Sequence, residues 1–238
     1  MIWRLRSVLF NVIFYGGSVL YLTACLPVLF MPHRIQRYIP TLWVKWVYWI
    51  ERVVLGLRYR VIGQENLPPA PYLVAMKHQS AWETMKLYHL FGDPAIVLKK
   101  ELMDLPLWGR YARIVNMVPI DRSKGKEAMY YMVESAKSIL VDKRPLVVFP
   151  QGTRVAVGKK APYKYGIMKL YEGLGVPLVP VALNAGLFWP RNSFWKKPGL
   201  ITVQILPPIA PHKPVDQVFT QLQQIIETVS DDLAKSND

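Results

Sequence analysis

From Val8 to Met31 the chain carries no Asp, Glu, Lys or Arg over 24 residues, and this stretch limits what the whole protein can be. Coiled into a helix it extends roughly 36 Å, enough to cross the ~30 Å hydrocarbon core of a bilayer. The run is longer than the ~7–15 apolar residues of a secretory signal and no small-residue cleavage site follows, so it is expected to stay as a membrane anchor. Gly16, Gly17 and Pro27 interrupt it, which leaves open a bent or re-entrant helix pair beside one straight span. The next segment, Thr41 to Leu57, sets Trp43, Trp46 and Trp49 three residues apart, with Lys45, Glu51 and Arg52 interspersed. Such a helix suits the headgroup layer, where indole rings and cations both find partners. It equally fits an ordinary amphipathic helix with its tryptophans on the core.

Charge narrows the partners. Lys and Arg number 30 against 16 for Asp and Glu, a formal +14, which favours lipid headgroups, phosphates, an acidic carrier protein or nucleic acid. The basic residues lie beside the apolar run and no nucleic-acid motif is present, so anionic membrane lipids are expected and nucleic acid is not. Cys25 is the single cysteine, which excludes an internal disulfide and a cysteine-based metal cluster.

Beyond residue 58 short apolar runs alternate with helical stretches, the pattern of an α/β domain. Strands are predicted at 59–62, 72–76, 95–99, 114–118, 146–149, 178–183 and 201–206, and helices at 81–91, 124–141, 163–172 and 215–234. The expected architecture is a mixed central sheet of about seven strands flanked by helices, with N-terminal membrane-attachment helices. Residues 1–57 form the anchoring unit and 58–238 the catalytic domain.

Two strand ends carry chemistry. Lys77-His78-Gln79-Ser80-Ala81-Trp82-Glu83 follows one strand and opens a helix, the place where α/β proteins tend to set reacting groups. Ser80 and Glu83 match a capping box, which explains Glu83 structurally. His78 has no such explanation, and a carboxylate five residues on can fix its tautomer and make it a base near neutral pH. Taken singly, a strand-end histidine is more often structural than catalytic. The second strand end reads Val147-Val148-Phe149-Pro150-Gln151-Gly152-Thr153-Arg154. Here Gly152 allows close approach of the main chain, and Arg154 offers a fork that matches a phosphate. The bland reading is a polar turn with a solvated arginine. Lys100 and Arg122 also follow predicted strands, so Lys100, Arg122 and Arg154 are expected around one anionic group.

The order and spacing of these blocks resemble the glycerolipid acyltransferases, most closely the bacterial-type 1-acylglycerol-3-phosphate acyltransferases. The family's His-x-x-x-x-Asp block is similar to His78 through Glu83, preceded by Glu-Asn-Leu-Pro at 65–68. Lys99-Lys100-Glu101-Leu102, with Pro106 and Gly109 beyond it, looks like the family's Lys-Glu-Leu segment. Val118 to Ser123, Phe149 to Arg154 and Val176 to Val181 resemble the remaining blocks, and the likeness spans roughly 58–206. Two positions depart from the pattern. Glu83 stands where the family usually has Asp, one methylene longer. Gln151 replaces the acid of Phe-Pro-Glu-Gly-Thr-Arg, so an amide that can still hydrogen-bond a substrate hydroxyl takes the place of a charge.

The resemblance implies transfer of a fatty acyl group from acyl-CoA or acyl carrier protein to the free sn-2 hydroxyl of lysophosphatidate, giving phosphatidate. His78 and Glu83 would be catalytic, and Lys100, Arg122, Gln151, Gly152, Thr153 and Arg154 substrate-binding. No metal or cofactor is called for. The location implied is a bacterial inner membrane, with the active site on the cytoplasmic side. Glycerol-3-phosphate or a lyso-aminolipid as acceptor, or a catalytically impaired membrane scaffold, are the alternatives carried.

Overall fold

The computed structural model describes residues 2–36, 38–104, 109, 112–113 and 116–236. Among them, helix α1 (Ile2–Ala24) opens the chain, and Pro27 helps turn it into a short 3-10 stretch, Leu26–Phe30. After the helical turn α2 (His33–Gln36), α3 (Tyr38–Ile50) runs back along α1 and ends in a π-helical turn, Glu51–Leu55. The contacts give the direction: Gly17 meets Trp46, Ser18 accepts from the Trp43 indole at 3.1 Å, and Tyr21 donates to the Ile39 carbonyl at 2.8 Å. Rising positions on α1 meet falling positions on α3, so the two helices are antiparallel. The apolar run therefore yields α1 and the 3-10 stretch that follows it, and the helix that pairs with α1 is α3, beyond the run. Gly17 does not break α1; a Cβ there would lie 2.5 Å from the Trp46 ring, so glycine is what lets the helices close up.

The seven strands are β1 (Leu57–Ile62), β2 (Leu73–Met76), β3 (Ala95–Lys99), β4 (Val118–Ile120), β5 (Leu146–Val148), β6 (Leu178–Leu183) and β7 (Gly199–Ile205). They form one mixed sheet in the order β1-β7-β6-β2-β5-β3-β4. β6, β2, β5, β3 and β4 run parallel, while β7 pairs antiparallel with β6 and carries β1 parallel to itself. The crossovers are made by α4 (Trp82–Phe91), α5 (Gly125–Val141) and α6 (Gly166–Leu174), and α7 (Val215–Lys235) closes the chain.

A strand buried on both faces needs apolar residues at successive positions, and β2 has them. Leu73 and Ala75 enter the core under α5, α6 and α7, whereas Val74 and Met76 enter the core on the opposite face with Leu87 of α4. Two predicted elements shift. The strand expected at 114–118 is observed as Val118–Ile120, because Met117 N–H bonds back to Ala112 and Asn116 adopts a positive φ of 52°, a turn rather than extended chain. Ile114 and Val115, and Pro106 of the Lys-Glu-Leu block, lie outside the described residues. The helix expected from 163 starts at Gly166, because Lys164 N–H donates instead to the Pro150 carbonyl at 2.7 Å.

One ion pair ties the helix pair to the sheet domain. Glu51 of the π turn and Lys86 of α4 are both buried and lie 2.7 Å apart, with the ammonium near the Tyr48, Tyr59 and Trp82 rings. Burial pushes the Glu51 carboxyl up and the Lys86 ammonium down, each opposed by its partner's charge. Removing one member of such a pair strands the other without compensation. Lys86→Met is therefore expected to lower stability by about 3–5 kcal/mol in denaturant unfolding, and Glu51→Gln added to it should return most of that loss. A stable single variant would contradict this account.

Candidate active site

The alternation that buries both faces of β2 continues past its end and separates two neighbours. Lys77 follows Leu73 and Ala75 towards α7, and His78 follows Val74 and Met76 towards α4. The first turn of α4 then brings Glu83 to the histidine. Glu83 Oε1 lies 2.9 Å from His78 Nδ1 and accepts from the backbone N–H groups of Gln79 and Ser80, each at 2.7 Å. Ser80 Oγ accepts from Trp82 N–H at 3.1 Å and Ala81 stands at the N-cap, so of the expected capping box the Ser80 N–H to Glu83 half forms and the Ser80 hydroxyl takes a different helical N–H. The same carboxylate thus caps the helix and holds the imidazole, where the sequence offered these as alternatives.

A carboxylate that only accepts requires the proton of a neutral imidazole to sit on Nδ1. Nε2 is left with its lone pair and has no protein partner among the described residues. The ring stacks on Phe149, 4.1 Å between centroids and 23° between planes, which fixes its tilt. His78 keeps 12% of its side-chain surface exposed while Glu83 keeps 0%, so the imidazole reaches solvent and its carboxylate partner does not.

The neighbouring strand supplies the second half of the site. β5 lies beside β2, and the chain leaves it through Phe149 into a turn closed by Gly152 N–H to the Phe149 carbonyl at 2.9 Å. Gly152 has φ 67°, the left-handed region that glycine occupies without strain. Val155 N–H donates to the His78 carbonyl at 2.8 Å, which pins the turn to the histidine. Thr153 is exposed, and Arg154 is half-buried with a guanidinium that has no partner among the described residues. Its carbonyl accepts from Arg191 at 2.6 Å.

Because β2, β5, β3 and β4 are adjacent and parallel, His78, Arg154, Lys100 and Arg122 all follow the carboxyl ends of strands on one sheet edge, as expected. Lys99 pairs in register with Ile120, so Lys100 and the Arg122 backbone are neighbours; the Arg122 side chain lies outside the described structure. Lys100 is engaged, its ammonium 3.1 Å from Asp121 and 56% exposed. Asp121 is pulled down to about 2, first by the Ser123 hydroxyl and then by Lys100. The pair is solvent-exposed and screened, so Lys100 can exchange Asp121 for another anion at small cost.

Gln151 is buried, with Nε2 3.4 Å from Glu227 Oε1 and Oε1 3.5 Å from His78 N–H, so each end of its amide has a protein partner. Sequence reasoning missed its partner Glu227, together with Lys77 and Tyr163, which bond to that same carboxylate. Glu227 flanks the buried stripe Val218, Leu222 and Ile226 of α7, and a carboxylate beside such a stripe was the available signal.

The model of the acyltransferase family matches residues 58–184, which include every block of this site. A 1-acyl-sn-glycerol-3-phosphate acyltransferase from Pseudomonas aeruginosa is 34% identical over 97% of this chain and 91% of its own. The enzyme of that name from Saccharomyces cerevisiae is 32% identical over 68% of this chain and 55% of its own. The fold is shared with the crystal structure of the 1-acyl-sn-glycerophosphate acyltransferase PlsC from Thermotoga maritima, with a TM-score of 0.78 at 21% identity over 97% of both chains. A histidine held by a carboxylate at a strand end, a glycine turn beside it and the match across both place this chain in the acyltransferase family.

Proposed function

We propose that this acyltransferase moves a fatty acyl group from an acyl thioester, acyl-CoA or acyl carrier protein, to the sn-2 hydroxyl of lysophosphatidate. The observation that carries the reading is His78 with Nδ1 on Glu83 and Nε2 unpartnered. Nε2 takes the proton of the acceptor hydroxyl as its oxygen attacks the thioester carbonyl. The tetrahedral intermediate then collapses, the carbon–sulfur bond breaks, and the imidazolium returns the proton to the leaving thiolate. Glu83 stabilises the imidazolium between the two transfers. The acceptor's phosphate is assigned to Arg154, with Lys100 and Arg122 beside it on the same sheet edge, because Arg154 presents the unpaired fork that a phosphate matches. That relatives of this chain are named for the same acceptor supports the assignment.

The N-terminal helices support attachment to one leaflet. α1 is apolar enough to cross a bilayer by composition. It is nevertheless tied to the domain through its first half: Trp3 packs on Trp195, Phe10 packs on Trp189, and Asn11 accepts from Lys196 at 2.7 Å. A span would have to leave the domain by the full ~30 Å of the hydrocarbon core. Ile2, Leu5, Leu9, Val12 and Val19 instead form an exposed stripe at helical spacing, and Trp49 of α3 is 60% exposed. Residues 1–57 are assigned to the membrane surface; that the membrane is a bacterial inner membrane, with the site on its cytoplasmic side, belongs to the same proposal.

Purified protein given lysophosphatidate and a labelled acyl thioester should form phosphatidate, identified by mass spectrometry. His78→Ala should lose ~10²–10⁴-fold in turnover while remaining folded. Full activity in that variant removes His78 as the base. Arg154→Ala is expected to raise the apparent KM for lysophosphatidate about tenfold or more, as loss of a charge-assisted hydrogen bond requires, with the thioester KM little changed. The reverse pattern would assign the basic group to the donor. Leu5→Asp with Val12→Asp should release the protein from lipid vesicles; sedimentation with vesicles in high salt after both changes would place the attachment elsewhere.

A further inference from the structure

On the face of β2 opposite to His78, Lys77 meets the C-terminal helix. Its ammonium is 2.6 Å from each carboxylate oxygen of Glu227 on α7, and both side chains are largely buried. Tyr163 donates to Glu227 Oε1 at 2.9 Å, and Gln151 Nε2 lies 3.4 Å from the same oxygen. Burial and then the charge of Glu227 push the Tyr163 phenol up, so its hydroxyl keeps the proton that it donates.

An accepting carboxylate can face only the NH₂ end of Gln151, so Glu227 decides which way the amide points. Gln151 Oε1 is thereby turned to the His78 N–H at 3.5 Å, while the His78 carbonyl, in the next peptide, accepts from Val155 at 2.8 Å. The His78 backbone is bracketed by the two ends of the turn that carries Gly152, Thr153 and Arg154. A carboxylate at position 151 would stand at contact distance from Glu227, with Lys77 as their shared cation.

We propose that Glu227 is a positioning residue for acyl transfer: from the C-terminal helix it orients the Gln151 amide, sets the Arg154 turn against His78, and makes a neutral residue at 151 obligatory. The charge that the Phe-Pro-Glu-Gly-Thr-Arg pattern places in the turn is carried in this chain by α7. The proposal rests on the reading of His78 and Arg154 as parts of one active site.

The test uses full-length protein, lysophosphatidate and an acyl thioester, with kcat, both KM values and the unfolding temperature recorded for each variant. Gln151→Glu should lower kcat about tenfold or more through repulsion from Glu227, and Gln151→Glu with Glu227→Gln should recover most of that loss, a coupling of the size seen between contacting groups. Gln151→Met, which keeps the size and the Lys77–Glu227 pair but breaks the link, should also lose about tenfold in kcat at an unchanged unfolding temperature. The proposal is overturned if the double variant is no more active than Gln151→Glu, or if Gln151→Met turns over like the parent. Should the charge variants fail to fold, Gln151→Met alone decides. A parent protein that transfers no acyl group to lysophosphatidate would instead refute the functional reading, and the two failures are thereby distinct.

Discussion

Three N–H groups converge on one buried oxygen of Glu83: His78 Nδ1 and the backbone amides of Gln79 and Ser80. Two of these bonds start helix α4 and the third aims the histidine, so the fold and the chemistry draw on the same atom. The helix start needs the carboxylate where it is, and the imidazole inherits a position that no exposed contact could hold as firmly. The extra methylene of Glu83 over an aspartate is accommodated because the side chain folds back over its own N-terminus. Its second oxygen is buried without a hydrogen bond among the described residues, a cost that the three bonds on the first oxygen outweigh.

The sheet extends this local arrangement into a site. Five parallel strands deliver their carboxyl ends to one edge, and the strands carrying His78 and Arg154 are immediate neighbours. Behind that edge lie two buried ion pairs on opposite faces: Glu51–Lys86 links the helix pair to α4, and Lys77–Glu227 links β2 to α7. Each joins a segment remote in sequence to the strand–helix junction at His78. Trp82, adjacent to Glu83, also lies with its indole 3.4 Å from Glu51, so the N-terminal helix pair and the carboxylate that holds His78 share a packing neighbourhood.

Much of this was legible before any coordinates. β3 and β6 begin and end where their apolar runs do, and α7 follows its helical period almost to the residue, because apolar periodicity records which face is buried. The placement of His78 and Arg154 beyond strand ends, and of Glu83 in the first turn of α4, is readable from the ordered blocks that hold them. What stayed hidden depends on pairing between distant segments. Asn116 in a positive-φ turn displaced β4, which local apolarity could not reveal. The inward turn of Gln151 depends on Glu227, 76 residues away, and nothing in the local pattern of either residue announces the other. The tryptophans divide: Trp43 and Trp46 pack on α1, and Trp49 is exposed.

The central claim is a protonation pattern: Glu83 holds the Nδ1 proton of His78 and thereby leaves Nε2 as the base. Nitrogen-15 NMR of protein labelled at histidine, with the His78 signals assigned through a His78→Gln variant, reads that pattern without any substrate. Above the titration of the ring, Nδ1 should carry the proton and Nε2 should show the shift of an unprotonated imidazole nitrogen, and Glu83→Gln should disturb this preference. A neutral His78 with its proton on Nε2 in the parent protein would contradict the account, since the nitrogen that faces the acceptor would then have no lone pair to receive the proton.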